Sequence, residues 1–442
     1  MKRFLFLADE HIGHTHASIG VARRLQRRGH SVAFVGARSA QAITDAGFAC
    51  EREDWMDGPC AAIEHASCRA GRLAALQDWL RVAAGGATRV IERHAPDLLL
   101  FQPFLLEFYP LFHRLGVPAI SFSTKPLLSP DPLVPPYTSA MVPNDALFER
   151  WKIRCEWWGA RARYAAYRAD CVYQQWRTGV SHRSVMLAAA TDTGFPLRAE
   201  NVTRPLPIDV AFRSVPELVL HAREFDLPRV NTLPARIAYL GPCVDTDPVR
   251  TNACATPSGA GPLIYCHLGT VGRQRGHMKR DLYRQVLAAS RLGAGWRWLI
   301  SIGDEDTVRW LRGLADVNGP GIDIRVWVPQ MAALSRADVA ITHGGANSVK
   351  EALHYGIPLL VLPQSADQPG LGARVMYHGV GIAEDVRRCT PERIAQHVSD
   401  LLENPSYRAR ALEFSRIFAR YDHDEVAENM LEQYAVGRRA AR

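Results

Sequence analysis

A short stretch near the middle of the second half combines side chains that bind anions and hydroxyl groups. An apolar run ends at Thr342, two glycines follow, and Asn347 and Ser348 open the next helix. Glycines let backbone N–H groups approach a phosphate, and a helix N-terminus presents unpaired donors and a positive dipole end. His343 can donate to a diphosphate oxygen, and Glu351, one turn into the helix, can accept from ribose hydroxyls. A plain strand-to-helix turn with an N-cap has the same local pattern.

The two flanks of this stretch carry further groups of the same kind. Upstream, Trp327 offers a flat ring that can stack on a base, and Gln330 offers an amide that can hydrogen-bond a base or its ribose. Downstream, Asp367 and Gln368 follow an apolar run and supply a carboxylate and an amide for sugar hydroxyls. The whole run therefore predicts a nucleotide-sugar site, with a contact for the base, ribose, diphosphate and hexose.

These motifs and their spacing resemble a known donor signature. Trp-x-Pro-Gln, His-Gly-Gly-x-Asn-Ser-x-x-Glu and Asp-Gln, at 327–330, 343–351 and 367–368, resemble the GT-B fold, family 1 (UDP-glycosyltransferase-like) glycosyltransferases. Residues 332–335, 341–347 and 367–370 are most similar to the bacterial zeaxanthin glucosyltransferase branch. The resemblance is specific over about 263–385, fair in the first strand–helix unit and poor from about 127 to 242. It implies an α/β protein with two Rossmann-like domains facing each other across a cleft.

The resemblance also implies roles for individual residues. Trp327 would stack on uracil, Gln330 and Glu351 would hold the ribose, and a strand-end Gly-Thr pair would add a phosphate contact. The implied donor-binding residues are Thr270, Trp327, Val328, Gln330, His343, Gly345, Asn347, Ser348, Glu351, Asp367 and Gln368. Inverting enzymes of this fold need no metal, and the sequence shows no cluster of metal ligands.

An inverting transfer needs a base for the acceptor hydroxyl, and histidine titrates in the right range. The turn after the first predicted strand carries three histidines, His11, His14 and His16, beside Asp9 and Glu10. Relatives carry the base in a Gly-His pair shortly before the first helix, and residues 13–14 match that pair. We assign His14 as the base. A helix-capping histidine, or a base at His16 or His11, is the alternative.

The residue that would orient this histidine departs from the family. Relatives carry an aspartate near the end of a later strand, and Gln102 stands at the matching position. A glutamine carbonyl can accept from the imidazole N–H and fix the tautomer, but it cannot neutralise an imidazolium. Glu107 and Glu10 are the candidates for the missing charge. A slower relay, an acidic acceptor, or a protein that binds without transferring would each fit this departure.

Two series of apolar runs alternate with helical spacing and predict the elements that position these residues. Runs at 4–8, 31–35, 97–101 and 119–122 alternate with helices at 18–28 and 105–115, which indicates a parallel sheet. A second series occupies 263–268, 298–302, 322–328, 339–342 and 358–362. We predict an acceptor-binding domain at 1–240, a linker at 241–262 and a nucleotide-sugar-binding domain at 263–415. A helical tail at 416–442 is expected to pack back on the first domain.

Two aromatic segments lie in the predicted acceptor domain. The segment 101–112 is typical of a protein core, but its position after a strand favours a pocket for a lipophilic acceptor. From 148 to 177, seven Trp and Tyr residues are interleaved with Arg and Lys along one helix. A solvated helix face explains that pattern as well as a membrane-surface or acceptor-entry patch does.

Composition and charge limit the classes of protein to which this sequence could belong. The chain has 442 residues, a formal charge of +8 and nine cysteines with no CxxC pair, which indicates neither a zinc ribbon nor a disulfide framework. No apolar run approaches the roughly 20 residues of a spanning helix, and residues 1–8 suit a buried strand better than a signal peptide. Dispersed basic residues make nucleic-acid binding a weak interpretation. We expect a cytoplasmic protein, with peripheral membrane association left open.

The favoured function is inverting transfer of a hexose, with glucose from UDP-glucose as the first candidate, to a hydroxyl of a lipophilic secondary metabolite. Three alternatives stay open. They are transfer of a dTDP-deoxysugar in antibiotic biosynthesis, an epimerase or hydrolase of the same fold, and a catalytically weak partner protein that binds sugar nucleotides. The sequence indicates neither the acceptor nor the oligomeric state.

Overall fold

A computed structural model describes residues 1–8, 12–36, 40–144, 146–181, 183–202, 210–246, 254–269, 276–293, 295–314 and 321–436. The predictions made for Asp9, Glu10, His11 and Thr270 lie outside these residues. The described chain folds around two fully parallel β-sheets, each with helices on both faces.

The first sheet has the strand order β3-β2-β1-β4-β5-β6-β7, and all neighbouring strands are parallel. Its strands are β1 (Arg3–Ala8), β2 (Ser31–Gly36), β3 (Cys50–Arg52), β4 (Leu98–Phe101), β5 (Ala119–Ser123), β6 (Glu217–Val219) and β7 (Ile237–Tyr239). Along β1, Phe4 and Phe6 enter one hydrophobic core while Leu5 and Leu7 enter the other. A strand covered on both faces must be apolar throughout, which is why the sequence shows runs here and not an alternation.

Among the described residues, the part of the chain up to β7 contains eight α-helices, and two regions differ from the prediction. The helices are α1 (Ile12–Arg27), α2 (Ala40–Asp45), α3 (Cys60–His65), α4 (Arg69–His94), α5 (Tyr109–His113), α6 (Leu147–Thr178), α7 (Ser184–Thr193) and α8 (Leu197–Glu200). Helix α1 begins at Ile12 and not near Ser18, so His14 lies inside its first turn. The predicted helix at 105–115 is a 3-10 helix (Pro103–Phe108) followed by α5, because Pro110 lacks the N–H that a continuous α-helix needs there.

The second sheet has the order β10-β9-β8-β11-β12-β13, again all parallel. Its strands are β8 (Leu263–His267), β9 (Arg297–Ser301), β10 (Ile322–Arg325), β11 (Val339–Thr342), β12 (Leu359–Val361) and β13 (Gly381–Ala383). Its helices are α9 (Gly276–Ala289), α10 (Glu305–Arg312), α11 (Gln330–Leu334), α12 (Ala346–His354), α13 (Gln368–Tyr377), α14 (Pro391–Glu403) and α15 (Pro405–His423). The predicted α/β architecture of two Rossmann-like halves is confirmed.

The two halves are joined by more than the chain between them. The final helix, α16 (Val426–Val436), places Ala427 and Leu431 in the hydrophobic core of the first sheet. Arg374 of α13 forms a buried ion pair with Asp226 of the first half, at 2.5 Å. The described parts of 241–262 hold neither helix nor strand. The predicted domain boundaries remain predictions. Within the described ranges, no helix has the length and apolar character to cross a membrane.

Candidate functional site

The strand–turn–helix unit from β11 to α12 depends on two glycines. Gly344 has φ +83°, in the left-handed region, and a Cβ there would lie 2.7 Å from a methyl carbon of Val361. Gly345 precedes α12, and a Cβ there would lie 2.6 Å from Nε2 of His343. Both positions therefore require glycine, and the turn leaves the N-terminus of α12 uncovered by side chains of its own.

His343 is held as a neutral imidazole beside that N-terminus. Burial, and then the nearby His267, lowers the pKa of His343 to about 3. At neutral pH the ring therefore has one donor and one acceptor nitrogen. Its Nδ1 lies 3.5 Å from the hydroxyl of Thr342. His343 can thus donate to a diphosphate oxygen without first carrying a charge.

The structure adds two basic residues that the sequence analysis missed. The ring of His267, at the end of β8, lies 6.5 Å from the ring of His343, and its Nδ1 donates to the carbonyl of Ser301 at 3.1 Å. Lys279 of α9 is buried, 3.7 Å from Asp304, and burial lowers its pKa. Its charge acts on both histidines. The sequence did offer one signal for His267: it lies at the end of a predicted strand, shortly before the Gly-Thr pair expected to contact a phosphate.

The residues predicted to hold the ribose are brought together. The amide of Gln330 donates to the carboxylate of Glu351 and, at 3.4 Å, to the hydroxyl of Ser348. Tyr265, which the sequence analysis missed, donates from its hydroxyl to the amide oxygen of Gln330 at 3.3 Å. Trp327 is 70% exposed, so a ring face is open for stacking on a base.

The predicted hexose-binding pair lies at the start of α13. The amide oxygen of Gln368 accepts from the backbone N–H of Gln364 at 2.7 Å and of Ser365 at 3.0 Å. Asp367 immediately precedes the helix. Because the amide oxygen fixes the loop, the NH₂ group is the part of Gln368 that can contact a ligand.

His14 lies where the two halves of the molecule meet. Its ring stacks on Phe104, with centroids 5.3 Å apart, and is half-buried. The preceding residue, Gly13, accepts a 2.6 Å hydrogen bond at its carbonyl from the amide of Asn347. Asn347, predicted to bind diphosphate, therefore ties the N-terminus of the donor helix to the turn that carries the predicted base.

Gln102 is fully buried and reaches the first turn of α1 through Ser18. Its amide donates to the Ser18 hydroxyl at 2.7 Å, and that hydroxyl donates to the carbonyl of His14 at 2.8 Å. These two hydrogen bonds position the backbone of His14. Direct acceptance of the imidazole N–H by Gln102 stays a prediction.

Glu107 is poorly suited to supply the missing negative charge. It lies in the 3-10 helix after β4, and burial raises its pKa to about 7. It is therefore about half protonated at neutral pH, and its charge acts on Tyr167 of α6. Most of the aromatic segment 101–112 is core, as its pattern indicated, but Phe104 lies against His14.

In the part of the chain that the structure describes, no group of three or more His, Cys, Asp or Glu side chains could hold a metal ion. Lys279 and the N-terminal end of α12 supply positive charge beside the turn between β11 and α12. A diphosphate would be stabilised by the positive end of the helix dipole, by the N–H of the neutral imidazole and by the lysine ammonium.

Comparisons with known proteins find sequence relatives for part of the chain. A family model described as "Erythromycin biosynthesis protein CIII-like, C-terminal domain" matches residues 310–432. The zeaxanthin glucosyltransferase of Pantoea ananas is 31% identical over 211 residues, which span 48% of this chain and 47% of that protein. The chain thus matches about half the length of this relative.

Solved structures match over nearly the whole chain. The glycosyltransferase of kitacinnamycin superposes with a TM-score of 0.65 at 21% identity, covering 98% of this chain and 99% of that one. The glycosyltransferase VinC in complex with dTDP gives a TM-score of 0.60 at 16% identity, with coverage of 98% and 99%. At these identities the likeness shows the fold. That fold is GT-B, and the sequence relatives show a similarity to glycosyltransferases that spans about half of the chain.

Proposed function

We propose that this protein is an inverting glycosyltransferase that moves a hexose from a nucleotide sugar to a hydroxyl of a lipophilic small molecule. UDP-glucose is the proposed donor. The acceptor-binding role falls to residues 1–240 and the donor-binding role to residues 263–415. No metal or other cofactor is required, and the reaction is expected in the cytoplasm.

One contact carries the proposal, namely the hydrogen bond from Asn347 to the carbonyl of Gly13. Asn347 belongs to the first turn of α12, where a diphosphate would bind, and Gly13 directly precedes His14. A base and a leaving group must flank one anomeric carbon, and this contact brings their two supporting turns together.

The proposed chemistry divides among the described residues. His14 takes the proton of the acceptor hydroxyl as its oxygen attacks the anomeric carbon. The bond from that carbon to the diphosphate breaks on the opposite face, which inverts the configuration. The growing negative charge is stabilised by the N-terminus of α12, by the N–H of His343 and by Lys279. Gln102, through Ser18, keeps the backbone of His14 in place.

The donor contacts are part of the same proposal. Trp327 stacks on the base, while Gln330, Ser348 and Glu351 form one hydrogen-bonded group for the ribose. Asp367 and Gln368 meet the hexose hydroxyls. Gly345 admits the diphosphate because a side chain there would meet the His343 ring. Thr270 and Val328 are proposed to complete the donor site, as the family resemblance implies.

A donor-by-acceptor screen tests the proposal. The protein is incubated with UDP-glucose, UDP-galactose or dTDP-rhamnose and a panel of hydroxylated carotenoids, flavonoids and macrolides, and products are identified by mass. Nuclear magnetic resonance of the new glycosidic bond reports its configuration. A β-glucoside formed from the α-linked UDP-glucose supports the proposal, and retained configuration contradicts it.

The same screen separates the alternatives. Product from the dTDP sugar alone identifies a deoxysugar transferase, and UDP released without acceptor identifies a hydrolase or epimerase. Tight binding of UDP with no product from any pair supports a non-catalytic partner protein.

A further inference from the structure

The long helix α6 contacts the rest of the protein through one narrow stripe. Ile153, Trp157, Ala160 and Cys171 are buried, and their spacing of three and four residues, or a multiple of it, keeps them on one face. Ile153 and Trp157 pack with Tyr137 in a small hydrophobic cluster. The other faces of this 32-residue helix are largely exposed.

A second apolar stripe runs along the opposite, exposed face. Its large members are Phe148, Trp151, Trp158, Val172 and Trp176, which are between 57% and 72% exposed. Cysteine and alanine side chains fill the positions between them at the same spacing of three and four. At 100° per residue this stripe lies opposite the buried one, and it extends for roughly 40 Å. A soluble surface seldom shows so long a continuous apolar strip.

The borders of the exposed stripe are basic. The helix carries seven basic side chains and three acidic ones, an excess of four positive charges. Lys152 pairs with Glu149 at 2.7 Å. Among the described residues, the six arginines of the helix have no ion-pair partner, and all six are exposed. They are Arg150, Arg154, Arg161, Arg163, Arg168 and Arg177.

We propose that this face of α6 docks in the plane of an anionic phospholipid membrane. Tryptophan and phenylalanine side chains on an apolar face bordered by arginines match the boundary between headgroups and acyl chains. A second copy of this chain is the other candidate partner. Pairing two such helices would bring two faces with excess positive charge together, which is unfavourable, whereas anionic lipid neutralises that charge.

The inner stripe connects the docking face to the proposed base. Tyr137, which packs against α6, has its ring 5.9 Å from the ammonium of Lys125. That ammonium lies 4.7 Å above the ring of Phe104, which stacks on His14. If the proposed transfer to a lipophilic acceptor holds, docking would place the acceptor cleft beside the bilayer where such an acceptor dissolves. The docking itself is independent of that reaction.

Vesicle flotation with the full chain tests the docking. Vesicles of phosphatidylcholine alone are compared with vesicles containing 30% phosphatidylglycerol, at low and high salt. We expect binding to the anionic vesicles that weakens at least fivefold at high salt, since exposed charges are screened. Equal binding to neutral vesicles, or none to either, overturns the proposal.

Two variants locate the binding face. Replacing Trp151, Trp158 and Trp176 with serine should lower partitioning at least tenfold, because their burial in the interface is lost. The control replaces Val230 and Leu292 with serine, two exposed apolar residues outside α6, and should bind as the unchanged protein does. Unchanged far-ultraviolet circular dichroism and UDP affinity show that the variants fold. Equal partitioning of the two variants overturns the proposal.

Light scattering without lipid distinguishes the second candidate partner. A stable dimer that the tryptophan variant converts to a monomer would show that a second copy covers this face, and it would overturn the membrane proposal. A monomer in both proteins, together with salt-sensitive flotation, supports it.

Discussion

The donor and acceptor edges of the proposed active site are built in different ways. At the donor edge, the residues between Trp327 and Gln368 follow consecutive strands, and the turn at Gly344 and Gly345 has no room for side chains. At the acceptor edge, Gln102 is far from His14 in the chain and reaches the first turn of α1 through Ser18, while Phe104 packs against the His14 ring. One edge is therefore determined locally and the other by the fold as a whole.

The difference is the one that the two proposed ligands would require. A nucleotide sugar presents the same base, ribose and diphosphate to every protein that binds it, so a compact set of contacts suffices. A lipophilic acceptor has no such fixed chemistry, and its pocket is a matter of shape and packing. We expect substitutions at the donor edge to change donor affinity, and substitutions at the acceptor edge to change turnover alone.

Replacing His14 with alanine is the strongest test of whether the acceptor edge controls turnover and the donor edge controls donor affinity. Loss of a general base costs about 10²–10⁴-fold in turnover. Donor affinity should stay unchanged, because Asn347 bonds to the backbone of Gly13 and not to the histidine side chain. Steady-state kinetics with a saturating donor, combined with calorimetric titration of UDP, measures both quantities.

His16→Ala is the matched control for that experiment, since it changes the neighbouring histidine of the same helix turn. Transfer at the rate of the unchanged protein in His14→Ala, or a larger loss in His16→Ala than in His14→Ala, would show that the base is assigned to the wrong residue.

Replacing Trp327 with alanine should have the next largest effect. It should lower donor affinity and leave turnover unchanged. Stacking of a base on an aromatic ring contributes about 1–3 kcal/mol, so UDP should bind about 10–100-fold more weakly. Trp327→Phe should retain most of the affinity, and turnover at saturating donor should be nearly constant. Titration calorimetry gives the affinities.

Trp176→Ala provides the comparison for Trp327, because Trp176 is equally exposed but lies on α6. Its UDP affinity should equal that of the unchanged protein. An unchanged affinity in Trp327→Ala would remove the stacking role.

The sequence predicted most of the fold because local patterns determine it. Strands buried on both faces appear as apolar runs, and the runs at 263–268 and 339–342 agree with β8 and β11 within a residue. The start of α1 was wrong, since its first turn around Gly13 has little apolar periodicity. The contact of Gly13 with Asn347 shows that tertiary packing supports that turn.

The proximity of Gln330, Ser348 and Glu351 was predictable for the same reason, and the neighbouring residues that were not predicted show the limit. Gln330, Ser348 and Glu351 come from two recognisable motifs at 327–330 and 343–351, whereas Tyr265, His267 and Lys279 belong to β8 and α9. Only the parallel pairing of β8 with β11 brings His267 beside the predicted turn. No spacing in the sequence reports that pairing.

Replacing Gln102 with alanine tests the acceptor edge again, and the expected loss of turnover is smaller. In Gln102→Ala the hydroxyl of Ser18 loses a buried partner, which costs roughly 1–2 kcal/mol in positioning, or about tenfold in turnover. UDP affinity should not change. A merely structural role would give the same loss, so a second variant is needed.

Gln102→Glu supplies that second measurement. A carboxylate near His14 would favour the imidazolium, so the acidic limb of the pH–rate profile should move to higher pH. An unmoved limb, with activity otherwise retained, would place Gln102 outside electrostatic reach of the base.

Replacing Lys350 tests whether contacts between the two edges contribute to the free energy of unfolding. Its expected effect is the smallest. The Lys350 ammonium, on α12, donates to the carbonyl of Leu220 in the first half at 3.0 Å and to that of Pro242 in the predicted linker at 2.9 Å. Burial lowers the pKa of Lys350 from 10.5 to about 8. Between these values the unfolded chain binds more protons than the folded one, so stability contributed by Lys350 rises with pH. Below pH 8 the cost of burying the charge is complete and constant.

The unfolding free energy of the unchanged protein relative to Lys350→Met should therefore increase by about 1 kcal/mol per pH unit between pH 8 and 10. Urea unfolding followed by circular dichroism at pH 7, 8, 9 and 10 measures it. A flat difference between pH 7 and 8 followed by a rise is the expected curve. A difference that falls above pH 8 would mean that the charged form is the one stabilised at this contact. Because Lys350 directly precedes Glu351, the same curve would show how firmly the ribose-binding turn is held to the acceptor half.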